Sequence, residues 1–237
     1  MDEMIMLGFD YQLFLQTTIK IPIYAPLGHV ICVGGSNSGK TTAVLYWIYK
    51  SRDLNIKWYI SDFKCSRDFY GITEKYAEFE STYDLIHEFY QEFLSLPEGG
   101  ASDGRPRILL VDEVAGLLMH LSLSKSGKEK ADELRSIFSS ILMLGRSRKC
   151  FIWMIMQRYT ASIFPSSSGG ADNFYVAVGL GRLSVDGRKG LFAGEHFEGE
   201  DKLKYSQGRG IVLIDGQPLK SLIIPTVSKK KLKKLIT

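Results

Sequence analysis

Residues 34–42 read GGSNSGKTT: a glycine, four residues, a second glycine, lysine and threonine, which is the spacing of a phosphate-binding loop. An apolar run, HVICV at 29–33, leads into it, and Ala43, Val44, Trp47 and Ile48 follow at helical spacing. That context matters because such a loop works only where a strand ends and a helix begins. There, glycines let backbone N–H groups turn toward a phosphate, and the helix adds the positive end of its dipole. Gly34, Gly35, Ser36, Asn37, Ser38, Gly39, Lys40, Thr41 and Thr42 are therefore the candidate ligand cradle. Lys40 is placed to reach the β and γ phosphates of a nucleotide, and Thr41 to give its hydroxyl to Mg²⁺. Thr42 is expected to begin the helix. The competing explanation is a glycine-rich turn that matches by chance.

Outward from the loop, residues 17–24, TTIKIPIY, alternate as a strand does, with Pro26 and Gly28 as punctuation; the first 16 residues carry no clear pattern. Downstream, residues 56–60 form a second strand ending in Ser61, Asp62, Phe63 and Lys64. Charged residues at the C-terminal end of a parallel strand lie on the edge where such sheets bind ligands. Residues 83–96 form an amphipathic helix, PEGGASDGR is a polar loop, and RILLV at 107–111 is a third strand that delivers Asp112 and Glu113. A strand ending in two acids is common; placed downstream of a phosphate loop it becomes specific. Asp112 would hold a water on Mg²⁺, and Glu113 would orient and polarise the attacking water. The lysine-containing stretch SLSKSGKEK reads as a loop before a helix over 131–144, and GRSRK precedes an apolar strand at 150–156 that ends in Gln157 and Arg158. Gln157 is either a sensor of the γ phosphate or a simple strand terminus. PSSSGGA at 165–171 is a flexible loop, strands follow near 174–178 and 210–214, and Asp215 with Gly216 makes a hairpin turn into 219–224.

At 237 residues, 45% apolar and 24% charged, the chain has the size and composition of one large soluble α/β domain. Its longest apolar runs fall far short of the roughly 18 to 20 residues that span a bilayer, and MDEMIMLGFD lacks the basic start and cleavage site of a leader. A cytoplasmic protein is expected. Cys32, Cys65 and Cys150 have no paired or metal-type spacing and read as reduced and mostly buried. The net charge of +4 is carried by a tail: removing the five lysines between Lys229 and Lys234 would leave −1. Such a tail is either a solvated terminus or a surface that touches nucleic-acid phosphate, with Lys125 and Lys128 as further candidates.

Taken in order, GHVICVGGSNSGKTT, WYISDFK, PRILLVDEVAGLLM and LMLGRSRKCFIWMIMQR resemble the FtsK/SpoIIIE branch of the FtsK/HerA superfamily of DNA-pumping ATPases, from about residue 21 to residue 225. The more specific elements are Asp62 with Lys64, the arginine ahead of the strand at 150–156, Gln157 with Arg158, and VDGRKGLF with Asp186 and Arg188. The resemblance implies an α/β fold with a RecA-like core and a mainly parallel sheet flanked by helices. It implies one motor domain over residues 1–237 with a basic tail at 228–237. ATP and Mg²⁺ are the implied cofactors, with Thr41 and Asp112 at the metal and Lys40, Asp112 and Glu113 in hydrolysis. Gln157 is the implied phosphate sensor, and Arg146 the implied finger to a neighbour's site, with Arg148, Arg158 and Arg188 as alternatives. The implied partners are double-stranded DNA, or single-stranded DNA, other copies of the chain in a homo-hexamer, and a membrane-bound or relaxase docking partner. The implied function is ATP-dependent DNA translocation, in conjugative transfer of a mobile element or in chromosome or plasmid segregation. Family members often carry membrane helices before the motor and a DNA-reading domain after it, and neither is expected here. A genome-packaging or secretion-type ATPase, and a nucleotide-dependent switch, are the other classes. His29, His87, His120 and His196 have no metal spacing, and no serine or cysteine triad is evident.

Overall fold

The computed structural model describes residues 3–164 and 170–236. In chain order its elements are β1 (Met4–Asp10), α1 (Tyr11–Thr17), β2 (Pro22–Pro26), β3 (Val30–Val33), α2 (Lys40–Lys50), β4 (Lys57–Asp62), β5 (Tyr76–Glu78), α3 (Ser81–Ser95), β6 (Arg107–Asp112), α4 (Val114–Leu121), α5 (Lys125–Leu144), β7 (Cys150–Met156), β8 (Val176–Leu180), α6 (Val185–Phe192), β9 (Arg209–Ile214), β10 (Lys220–Ile223) and α7 (Lys229–Ile236). The chain divides into two compact units. One comprises Met1–Asp53, Gln157–Tyr159 and Tyr175–Thr237; the other comprises Leu54–Met156 and Thr160–Phe174.

The second unit is built on a parallel sheet in the order β7, β6, β4, β5. Every residue of β6 and β7 is buried, the signature of strands with no face left to solvent, and residues 108–111 of β6 and all of β7 read as unbroken apolar runs for that reason. The register brings Asp62, Asp112 and Ile155 to one level at the C-terminal edge. Edge-to-face contacts of Trp58 with Trp153 at 5.1 Å and Tyr59 with Phe89 at 5.2 Å fill the layers beside these strands.

In the first unit β3 pairs in parallel with β8. From β8 the sheet continues antiparallel through β9, β10, β1 and β2. Helix α2 is tied to β1 by Trp47, which is fully buried and donates its indole N–H to the Leu7 carbonyl at 2.8 Å. The α/β class read from the sequence is the class of both units, and the antiparallel strands extend the first.

Four local expectations are corrected. Residues 17–24 are not one strand: α1 ends at Thr17, Thr18 is left-handed at φ 60°, and β2 begins at Pro22. Ile19 and Ile21 are 62% and 41% exposed, so their alternation had no face to bury. The stretch at 125–130 is the start of α5 rather than a loop. The Ser124 hydroxyl caps it by accepting from the Gly127 N–H at 3.0 Å. Gly127 is required because a Cβ there would lie 1.9 Å from the Leu121 carbonyl oxygen. Helix α2 begins at Lys40, two residues before Thr42. Finally, the lysine-rich tail contains a helix, α7, anchored by Leu232 at 1% exposure. Most of the glycine- and serine-rich loop at 165–171 lies outside the described residues. Cys32 and Cys150 are buried, Cys65 is exposed, and all three are free thiols.

Candidate nucleotide site

In the first unit, β3 runs directly into the loop at Gly34. A Cβ on Gly34 would fall 2.3 Å from the Leu180 carbonyl oxygen and 2.6 Å from Ser38 Oγ. Gly39 stands at the cap of α2 with φ 96°, and a Cβ there would meet the Gly208 nitrogen at 2.9 Å. The two glycines of the motif are thus demanded by the close approach of β8 and of the segment before β9. The Gly208 N–H also donates to the Ser38 carbonyl at 2.8 Å, and the Ser38 N–H to that of Gly35 at 3.2 Å. Lys40, 9% exposed, folds back over the loop: its ammonium donates to the carbonyls of Gly34 at 2.6 Å and Gly35 at 2.9 Å. The loop therefore wraps its own cation at the N-terminus of an 11-residue helix, where anions are favoured. Thr41 and Thr42 occupy the first turn of that helix.

Two hollows flank the loop within this unit. A pocket of about 140 Å³ is lined by Gly39, Thr42, Gly208, Ile224, Pro225 and Val227. A cleft of about 340 Å³ is lined by Val33, Gly35, Gln157, Arg158, Arg182 and Ser184. Gln157 thus lies in one cleft with the phosphate loop. Arg182, which shares that cleft, was not singled out from the sequence; nothing near it locally signals that the end of β8 packs on the loop.

In the second unit Asp112 closes β6 at 6% exposure. Glu113 follows in the left-handed region, φ 63° and ψ 52°, capping α4. Its N–H donates to the Ile155 carbonyl at 2.9 Å, and its carbonyl accepts from Leu117 at 3.1 Å. A non-glycine residue held there costs about 1 kcal/mol, and such strain persists only where the surroundings over-determine it. The Glu113 carboxylate, 9% exposed, is ion-paired with Lys64 from the segment after β4. Asp62 is used differently. Fully buried, it accepts from the backbone N–H of Arg67 at 2.8 Å and of Ser66 at 3.2 Å, and from the Tyr76 hydroxyl at 2.8 Å. It builds the turn that carries Lys64 to Glu113. The sequence placed the aspartate–lysine pair at a binding edge; only the lysine reaches across it.

The arginines separate by what they touch. Arg148 donates to the Phe93 carbonyl at 2.9 Å and lies over the Phe93 ring at 4.8 Å. Arg188 is held by the Glu200 carboxylate at 2.9 and 2.7 Å and donates to the Glu195 carbonyl at 2.8 Å. Both are committed to their own unit. Arg146, in the turn between α5 and β7, is exposed; its carbonyl accepts from the Lys149 N–H at 3.3 Å, but its guanidinium has no hydrogen-bond or ion-pair partner among the described residues.

Among the described residues no cluster of three or more His, Cys, Asp and Glu could hold a metal alone. Thr41 in the first unit and Asp112 in the second each offer a hard oxygen. That suits Mg²⁺, which takes one or two protein ligands and completes its shell with phosphate and water. Burial pushes the Cys150 thiol up to about 12, which leaves it without thiolate character. Among the described residues no helix is long and apolar enough to cross a membrane.

No protein-family model matches the sequence, and no curated relative matches it. Solved structures do. The pCW3 conjugation coupling protein TcpA, a monomer form with ATPγS, matches with a TM-score of 0.70 at 15% identity, over 100% of this chain and 71% of that one. The cytoplasmic domain of the Thermomonospora curvata type VII secretion ATPase EccC matches with a TM-score of 0.68 at 17% identity, over 99% of this chain and 31% of that one. The genome-packaging NTPase B204 of Sulfolobus turreted icosahedral virus 2, in complex with ATPγS, matches with a TM-score of 0.57 at 15% identity, over 84% of this chain and 98% of that one. The fold is that of the phosphate-loop NTPases. This chain spans about a third of the length of the EccC chain it matches.

Proposed function

We propose that the chain is an ATP-driven DNA translocase of the FtsK/HerA superfamily, its two units acting as one cytoplasmic motor domain in a homo-hexameric ring around duplex DNA. The observation that carries the reading is the glycine-braced loop with Lys40 folded onto its carbonyls at the head of α2. Such a loop releases its lysine to a phosphate and loses little in doing so. Gly34 to Thr42 would hold the triphosphate, and the apolar wall of Ile224, Pro225 and Val227 beside Gly39 and Thr42 would take the base. Thr41 and Asp112 would hold Mg²⁺, which neutralises charge on the phosphates. Glu113, oriented by Lys64, would position the attacking water, and Gln157 would register the γ phosphate. The conjugation coupling protein and the packaging NTPase among the similar structures favour DNA as cargo, and contacts to its backbone would be independent of sequence. Docking on a membrane-bound or relaxase partner belongs to the conjugative form of this reading.

The test is the ATPase rate with no DNA, with single-stranded DNA and with duplex DNA. Duplex DNA is expected to stimulate the most. Lys40→Ala is expected to abolish nucleotide binding, and Glu113→Gln to bind ATP yet hydrolyse it at least about a hundredfold more slowly, since a positioned base contributes roughly 10²- to 10⁴-fold. Equal turnover in Glu113→Gln and the parent would remove Glu113 from the mechanism. The similarity to secretion ATPases favours a second reading, a motor with a protein cargo. Indifference to DNA with stimulation by a secreted polypeptide would select it.

A further inference from the structure

We propose that Arg158 and Arg182 form a same-chain subsite for the terminal phosphate of the nucleotide, reading triphosphate against diphosphate. The inference rests on the reading of residues 34–42 as a nucleotide loop and adds to it the groups that recognise the third phosphate. The cleft that both arginines line is also lined by Val33, Gly35, Gln157 and Ser184, all within one unit.

Their lack of partners is the distinguishing observation. Among the described residues neither guanidinium has a hydrogen bond, an ion pair or a ring beneath it. The chain's other arginines, Arg146 apart, are engaged: Arg67 with Glu78, Arg107 with Glu92, Arg135 with Asp132, Arg188 with Glu200, Arg105 with a carbonyl, and Arg52, Arg148 and Arg209 over rings. Two guanidiniums facing one concavity with no counter-charge repel one another, and an anion between them converts that cost into two charge-assisted contacts. The planar donor fork of arginine matches phosphate oxygens.

The cleft also meets the loop at the right place. Gly35 shares it, a Cβ on Gly35 would touch nothing within 4 Å, and the Gly35 carbonyl is one of the two that hold Lys40. A phosphate that draws Lys40 off Gly35 therefore lies beside the cleft. Gly187, in the first turn of α6, lines the same wall, its N–H held by the Ser184 hydroxyl at 3.2 Å. The hollow beside Gly39 and Thr42 has no arginine in its lining. The two hollows thus differ in where they carry fixed positive charge: both arginines line the one beside Gly35.

The experiment measures binding of ADP and ATPγS to the full chain, to Arg158→Ala, Arg182→Ala and their double variant, and to Lys40→Ala. A charged hydrogen bond is worth roughly 1.5 kcal/mol or more, so the double variant is expected to lose at least about tenfold in ATPγS affinity while ADP affinity moves less than about twofold. Arg182→Lys is expected to recover part of the loss. Equal losses for both nucleotides, or none for either, overturn the subsite while leaving the nucleotide loop in place. A parent chain that binds neither nucleotide, with Lys40→Ala no different, overturns both readings together. Mixing the double variant with Lys40→Ala separates same-chain from neighbour action: no recovery of tight ATPγS binding is expected, and recovery overturns the same-chain assignment. Because both side chains are exposed, the circular dichroism and melting temperature of the variants are expected to match the parent.

Discussion

Lys64 and Glu113 show how much one contact can constrain. Glu113 has a left-handed backbone and a carboxylate at 9% exposure, so its charge has little water to rely on. Lys64 compensates it. Removing one partner of a mostly buried pair is costly because the other is left uncompensated, and partial exposure of Lys64 reduces that cost. Lys64→Met is therefore expected to destabilise the chain by about 1–2 kcal/mol, lowering its melting temperature by roughly 2–4 °C per kcal/mol. Adding Glu113→Gln should recover most of the loss, because no buried charge then remains. Thermal unfolding of the four proteins in this cycle checks it; additive losses would show that the two side chains do not depend on one another.

Among the secondary-structure elements, the N-terminal ends of β4 and β6 are fastened to α3 by one carboxylate. Glu92 on α3 accepts from Lys57 at 2.8 Å, from Arg107 at 2.6 Å and from the Tyr59 hydroxyl. Burial raises its pKa, but the hydrogen bonds from Lys57, Tyr59 and Arg107 outweigh burial and bring it down to about 2. A carboxyl depressed in the folded state stabilises the fold above its unfolded pKa of about 4.5 and loses that contribution as pH falls toward 2. Glu92→Gln is thus expected to be markedly less stable than the parent at pH 7, with the gap closing between about pH 4.5 and pH 2. Urea unfolding at pH 7, 4 and 3 measures it, and a gap that stays constant would mean the carboxylate charge is not what fastens the helix.

The same scale shows why some elements were legible and others not. β3, β4, β6 and β7 could be read locally because strands covered on both faces carry runs of apolar residues between their ends. β1 could not: it pairs with β10, with Phe9 opposite Ile223, a partner more than 200 residues away. The alternation at 17–24 misled for the same reason, since period 2 says nothing about whether a face exists to bury it. α5 was read short because a serine cap and a glycine look like a loop until Leu121 is seen pressing on Gly127.

At the scale of the molecule, the proposed ring makes a prediction from Arg146. It sits ahead of β7, at the end of that strand away from the level of Asp112 and Glu113, and the family resemblance implies it as the finger to a neighbour's site. Its side chain is unengaged where Arg148 and Arg188 are committed. An arginine supplied by a neighbour can be worth roughly 10³- to 10⁵-fold in rate. Arg146→Ala is therefore expected to bind ATPγS as the parent does and to hydrolyse ATP at least about a thousandfold more slowly. A mixture of Arg146→Ala with Lys40→Ala chains should regain part of the activity, because an intact Lys40 site then meets an intact Arg146. Near-normal turnover of Arg146→Ala alone would dismiss it as the finger.

The sequence by itself determined the phosphate loop, the acid pair at the end of β6 and the α/β class, because each is written in contiguous residues whose spacing obeys local backbone rules. Tertiary structure alone decided what those residues touch. It turned Asp62 into the support of a turn and aimed Lys64 at Glu113. It set the backbone of β8 and Gly208 against the loop, so that the motif glycines are needed for packing. It also collected Arg158 and Arg182 beside Gly35 and gave Arg148 and Arg188 to their own carbonyls and carboxylates. Such pairings join residues tens to hundreds of positions apart, and only chain folding, which trades backbone entropy for burial and hydrogen bonds between distant segments, can choose among them.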